Sequence, residues 1–209
     1  MAKEVHLHLF GAPLIYLDGT LVDGFVTRKS LALFIYLAMN RRVSMRDKLA
    51  AIFWRDVADT QAQNSLRTVL PNLRKLVGSH LLIERQSVAF DSRQPFWIDV
   101  DILRSAVASH PSKPKKANSG ENRVHFEEFA KALTLYYCVF LDGFFVDDAP
   151  AFEEWVLQQR EELHELAQRG FSILTEHYLA EKNYAAGLAT SQRLLELEPW
   201  YETAHYQRM

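Results

Sequence analysis

The chain of 209 residues is 48% apolar and 24% charged, which suits one large or two small globular domains and excludes wholesale disorder. No apolar run reaches the roughly 18 residues of a membrane span, no charged-then-apolar leader opens the chain, and the single cysteine, Cys138, cannot pair internally; a reducing cytoplasmic setting with no membrane partner is expected. The net charge of −2 hides an asymmetry, with +5 over residues 1–98 and −7 over residues 99–209, which makes the front half the candidate for a polyanion and the back half for another partner.

In chain order, Val5, Leu7 and Leu9 alternate with His6, His8 and Phe10, the period of a strand with one buried face. Leu14-Ile15-Tyr16-Leu17 runs into Asp18-Gly19, a hairpin turn signal because both residues accept positive φ, and a short strand at Leu21-Val22 follows. Thr27 is the expected N-cap of a first helix through Ala38. Ser44 is the expected cap of a second, Met45 to about Trp54, with Asp47 completing a weak capping box. A third helix is expected from about Gln61 to Val77, stopped by Gly78 and bent at Pro71, which removes the bond to the Arg67 carbonyl. Leu81-Leu82-Ile83-Glu84 and Ser87-Val88-Ala89-Phe90 form a hairpin about Arg85-Gln86, and Phe96-Trp97-Ile98 is a last strand. From Asp99 the pattern is helical: through Val107, then at about 124–137, 150–181, 183–197, and from Pro199 to the end. Residues 109–122 are poor in apolar side chains and rich in Pro, Lys and Ser, the composition of a mobile loop. The chain stops inside its last helix, so a longer natural protein is expected.

Strands, three helices and a hairpin make the winged helix-turn-helix plan, in which the third helix enters the major groove and the hairpin flanks the minor groove. At 100° per residue, Leu66, Val69, Leu70, Leu73, Leu76 and Val77 fall on one arc, the buried stripe. Asn64, Arg67, Thr68, Pro71 and Lys75 fall on the other, with Asn72 and Arg74 at the edges. No carboxylate occurs between Gln61 and Val77. Solvated faces mix signs; a face without negative charge suits contact with phosphates. Arg67 has the fork for a guanine edge and Asn64 the amide for adenine, while Thr68 suits a thymine methyl or a phosphate. Arg74 and Lys75 suit phosphates, as do Arg28, Lys29 and Arg46 at helix starts. Arg85 and Gln86 at the hairpin tip are placed for the minor groove.

Several stretches resemble a known family. Thr27-Arg28-Lys29-Ser30-Leu31-Ala32-Leu33, Ser44-Met45-Arg46-Asp47-Lys48-Leu49, Ile52-Phe53-Trp54 and Asn64 to Leu76 resemble the OmpR-type winged helix of the Streptomyces antibiotic regulatory proteins (SARPs). Ala132 to Tyr136, Phe140-Leu141-Asp142-Gly143-Phe144, Phe152-Glu153-Glu154-Trp155, Arg160-Glu161-Glu162-Leu163 and Leu194 to His205 resemble their bacterial transcriptional activation domain. The resemblance implies a cytoplasmic activator that binds direct-repeat promoter DNA and contacts RNA polymerase. Larger relatives continue with an ATPase module and tetratricopeptide (TPR) repeats. Arg67 stands where the antibiotic regulators often carry an uncharged polar residue, and Asn72 where a basic one is common, so no target sequence carries over.

The fold class expected is therefore mixed: an N-terminal α+β winged helix-turn-helix with small antiparallel sheets over residues 1–98, and a C-terminal all-α, TPR-like domain over residues 99–209. In the second domain Leu163, Leu166, Ala167, Gly170, Phe171, Leu174 and Tyr178 keep helical spacing, followed by Ala185, Leu188, Ala189, Leu194 and Leu195. Small residues at Ala167, Gly170 and Ala185 suit close helix packing. Its acidic balance fits a protein partner: RNA polymerase, another protein or a second copy, as a homodimer on DNA.

No catalytic constellation stands out, so no enzyme activity and no cofactor are expected. Asp142-Gly143 lacks the Gly-Lys-Ser/Thr of a phosphate loop. The eight histidines are scattered, and His6 and His8 share a strand face without a full ligand set. Cys138 lies among aromatics as a small buried hydrophobe. Two other readings fit the same pattern: a protein-interaction adaptor that docks through both domains, and the front end of a larger ATP-dependent regulator.

Overall fold

The computed structural model describes residues 3–110 and 120–197. Most of the segment expected to be a mobile loop, and the helix expected from Pro199, lie outside the described residues. The chain divides into two compact units, neither continuous in sequence: one holds the chain to Ile98 together with Leu141–Gln158, the other Asp99–Phe140 and the chain from Gln159 onward.

The first unit is a winged helix. Strand β1 (Val5–His8) buries Val5 and Leu7 and pairs antiparallel with β2 (Leu14–Leu17). β2 turns through Asp18 and Gly19, at φ +50° and +75°, into β3 (Thr20–Leu21). Those two positive φ values are the two-residue turn that Asp-Gly favours. Helix α1 (Arg28–Asn40) starts on the expected cap: the Ser30 amide donates to Thr27 Oγ1 at 3.1 Å, and the Thr27 amide donates to Ser30 Oγ at 3.2 Å. Ala32, Leu33, Phe34, Ile35, Leu37 and Ala38 are all buried, so α1 is the axis of the core, apolar nearly all round.

Next come β4 (Ser44–Met45), α2 (Arg46–Phe53), α3 (Asp59–Val77), β5 (Leu81–Ile83), β6 (Ser87–Phe90) and β7 (Phe96–Ile98). The sheets are ordered β3-β2-β1-β7 and β4-β6-β5. All pairings are antiparallel except β1–β7, where the returning chain lies parallel. Ser44 does not cap α2. It pairs with Val88 in the second sheet, and the cap position is Met45, which offers no side-chain acceptor. The Gln86 carbonyl in the hairpin turn takes over, accepting from the Arg46 amide at 2.9 Å. Asp47 accepts instead from Gln63 Nε2. Helix α3 begins two residues earlier than expected and runs unbroken through Pro71. Gly78 ends it in a right-handed conformation, φ −61°, and the chain tightens into a 3-10 turn that buries His80, whose Nε2 lies 3.0 Å from the Pro95 carbonyl.

Leu141–Gln158 returns to complete this unit. The Leu141 amide donates to the Leu9 carbonyl at 2.8 Å. Phe152, fully buried, packs on Phe53 with ring centroids 5.2 Å apart, and Trp155 meets Tyr36 edge-on at 5.1 Å. Glu153 Oε1 accepts from the Val146 amide at 2.9 Å, which braces the turn ahead of the helix.

The second unit is all helical: α4 (Asp99–Ser109), α5 (Gly120–Thr134), residues 159–180 of α6 (Pro150–Ala180) and α7 (Tyr184–Leu197). Gly170 has the expected role. A Cβ there would stand 2.5 Å from Leu133 Cδ2 and 3.1 Å from Val107 Cγ2, so a larger residue would force Leu133 to shift in a packed core. The buried face of α7 differs from the expected one. Gly187, Thr190, Ser191, Leu194 and Leu195 point inward, while Ala185, Leu188 and Ala189 are exposed. The Ala186 amide donates to Asn183 Oδ1 and the Gly187 amide to the Asn183 carbonyl, which caps the start of α7. Cys138 is half-buried rather than buried.

Histidines gather in this unit. His110 stacks on His125 at 4.2 Å and on Phe129 at 3.9 Å, and His177 stacks on Phe126 at 3.5 Å. Burial lowers the His110 pKa, with His125 adding to the effect and a hydrogen bond to the Ala106 carbonyl opposing it. Burial also lowers His177, with Glu181 opposing and His110 adding.

Two outcomes follow. Phe152→Ala opens a cavity against Phe53 and is expected to cost about 3–5 kcal/mol, read as a lower urea midpoint for the unit that includes residues 1–98. The lowered histidines take up protons first in the unfolded chain, so stability is full above about pH 6.5 and falls as pH drops below it. His177→Phe, which keeps the stack, should flatten the change in melting temperature between pH 8 and pH 5.5 relative to the parent chain.

Candidate nucleic-acid interface

Helix α3 is divided as its sequence requires. Ala62, Leu66, Val69, Leu70, Leu73 and Val77 are buried. Leu76 is half-buried, near the Gly24 backbone. Asn64, Arg67, Thr68, Pro71, Arg74 and Lys75 are exposed and lie within about a 120° arc along about 17 Å of helix. Asp59 sits in the first turn, outside this stretch, where a carboxylate complements the helix dipole. Thr68 Oγ1 donates to the Asn64 carbonyl at 3.0 Å, which turns its methyl outward from that bond.

Asn72 does not join this face. Its Nδ2 donates to the Gly24 carbonyl at 3.0 Å and its Oδ1 accepts from the Val26 amide at 3.4 Å. Both ends of the amide hold the loop before α1, so the side chain is withdrawn from base contact. Arg28 and Lys29 are also engaged. Arg28 Nη1 donates to the Phe145 carbonyl at 3.4 Å and Lys29 Nζ to the Asp148 carbonyl at 3.3 Å. These two cations hold the returning segment of their own unit.

The remaining candidates converge. Arg46 at the start of α2, Arg67 on α3, and Arg85 and Gln86 at the hairpin tip line one cleft of about 250 Å³, floored by Met45 and Leu66. Gln63, one turn before Arg67, and Asp47 line it too, and Asp47 Oδ1 accepts from Gln63 Nε2 at 2.9 Å. Sequence reasoning did not single out Gln63, although its spacing of four from Arg67 puts both on one side of the helix. Among the described residues no group of three or more His, Cys, Asp or Glu is placed to hold a metal, and no helix is long and apolar enough to cross a membrane.

Residues 98–209 match the family described as bacterial transcriptional activator domain. The chain belongs to the bacterial transcriptional activator domain family. This bears out the SARP-like resemblance of its sequence. The fold of this family member is similar to that of Mycobacterium tuberculosis EmbR, solved in complex with a low-affinity phosphopeptide: the TM-score is 0.68 at 20% identity, over 99% of this chain and 54% of EmbR. The chain thus spans about half the length of EmbR. The likeness covers the winged helix together with the helical part that follows it. No curated protein matches the sequence.

Asn72→Ala frees the loop at Gly24 and Val26, whose carbonyl and amide then bond to water. A loss of about 0.5–1.5 kcal/mol is expected, read as a lower denaturation midpoint without DNA present.

Proposed function

We propose that this chain is a sequence-specific DNA-binding transcriptional activator that reads duplex DNA with the outer face of α3. The observation that carries the reading is that face itself: Asn64, Arg67, Thr68, Arg74 and Lys75 are all exposed, with no carboxylate among them. Phosphate repulsion penalises an acidic residue on such a surface, while an ordinary solvated helix has no reason to exclude one.

The roles follow from side-chain chemistry. Arg67 pairs with a guanine edge and Asn64 with an adenine edge in the major groove. Thr68 meets a thymine methyl. Arg74 and Lys75, toward the far end of the helix, hold phosphates and set the register. The net charge of −7 over residues 99–209, along with the family that residues 98–209 match, supports a protein partner there, RNA polymerase being the one an activator needs. Direct-repeat sites would seat two copies side by side.

The test is selection of bound duplexes from a random pool across a salt series. A defined sequence is expected to be enriched. Arg67→Ala is expected to lose about 1–3 kcal/mol and to relax preference at one base pair, whereas Lys75→Ala should weaken all sequences alike. A pool with no enrichment, or an Arg67→Ala profile identical to the parent's, refutes the reading.

A further inference from the structure

The hairpin of this winged helix does not project as a free finger. β5 and β6 are joined by Glu84, Arg85 and Gln86, with the Glu84 amide donating to the Ser87 carbonyl at 3.0 Å. On its other side β6 is paired with β4 up to Met45 opposite Ser87, and the ladder ends with the Arg46 amide donating to the Gln86 carbonyl at 2.9 Å. The turn is therefore tied down at its tip. Arg85 is held level with Arg46, on the wall of the cleft that α3 borders with Arg67.

Three guanidinium groups and one carboxylate, Asp47, line about 250 Å³, so the lining carries a positive excess although Asp47, which accepts from Gln63, and nearby Glu84, whose Oε2 accepts from Ser87 Oγ at 3.0 Å, keep their negative charge. Arg46 Nε is buried and has no hydrogen-bond partner among the described residues. The cleft falls below the roughly 300–1,000 Å³ of small-molecule sites but has room for a phosphate and its sugar. Guanidinium forks match the oxygens of such a group.

We infer that this cleft is a phosphodiester clamp, in which Arg46 and Arg85 grip one and the same DNA backbone phosphate beside the groove that α3 enters, so that the wing tip holds the backbone instead of reading the minor groove. This rests on the DNA-binding reading above and goes beyond it by assigning Arg46 and Arg85 a single shared ligand.

The experiment uses the full chain and a duplex selected by it, with Arg46→Ala, Arg85→Ala and the double variant. Each single change is expected to weaken binding about tenfold and to lower the slope of log K against log salt by about 0.9. The double variant should do little more than either single one, because one phosphate is lost in each case. A methylphosphonate scan should find one position per site where the neutral linkage weakens the parent but not Arg85→Ala. Replacing adenine with 2,6-diaminopurine, which adds an amino group to the minor groove, should leave the Arg85 contribution unchanged.

Additive effects, with the slope falling by about 1.8 in the double variant, mean two separate contacts and overturn the clamp. So does diaminopurine sensitivity that disappears in Arg85→Ala. Inorganic phosphate titrated without DNA distinguishes a small free anion: binding abolished in the double variant, with duplex affinity intact, also overturns it. In each of these cases the parent still binds its duplex. A parent chain that selects no duplex overturns the DNA reading and the clamp together.

Discussion

The rotation of α3 about its own axis is the constraint on which the rest depends. Six of its side chains, from Ala62 to Val77, are buried, and each large one loses about 1.5–3 kcal/mol if it is turned out into water. No other rotation buries the same set. The helix is thereby fixed with its amide, hydroxyl and cationic side chains outward, and an acid-free stretch of sequence becomes an acid-free surface. Chemistry toward a polyanion is a by-product of where the leucines must go.

Three devices from distant parts of the chain hold that helix and α2, which packs against it. The Asn72 amide fastens it to the loop before α1. The second sheet brings the hairpin turn onto the start of α2, where a carbonyl replaces the missing side-chain cap. Leu141–Gln158 packs Phe152 onto Phe53, so a segment of the stretch that matches the activator-domain family is part of the winged-helix core. Arg28 and Lys29 serve that same attachment, which accounts for two cations at the start of α1 that look like phosphate ligands in sequence.

What was legible in the sequence was local. The Thr27 cap, the Asp18-Gly19 turn and the leucine stripe of α3 depend on neighbours within a few residues, and they stand where the pattern puts them. The outward positions of Asn64, Arg67 and Thr68 followed from helical geometry alone. What could not be read depended on partners far along the chain. Ser44 looks like a cap until Val88 pairs with it. Asn72 looks like an edge residue of the outward face until Gly24, 48 residues away, takes its amide. The buried face of α7 is not legible because its apolar residues are spread around the helix, and only packing against other helices chooses among them. The convergence of Arg46, Arg67 and Arg85 on one cleft needs the hairpin folded back on α2, which no spacing rule reveals.

The most direct test of the central claim is an NMR titration of the full chain with its selected duplex, following residues 59–77 at low and moderate salt. Shifts concentrated on Asn64, Arg67, Thr68, Arg74 and Lys75, with Leu66, Leu70 and Leu73 nearly still, are the predicted result. Shifts that leave this arc untouched and cluster elsewhere on the chain would contradict it.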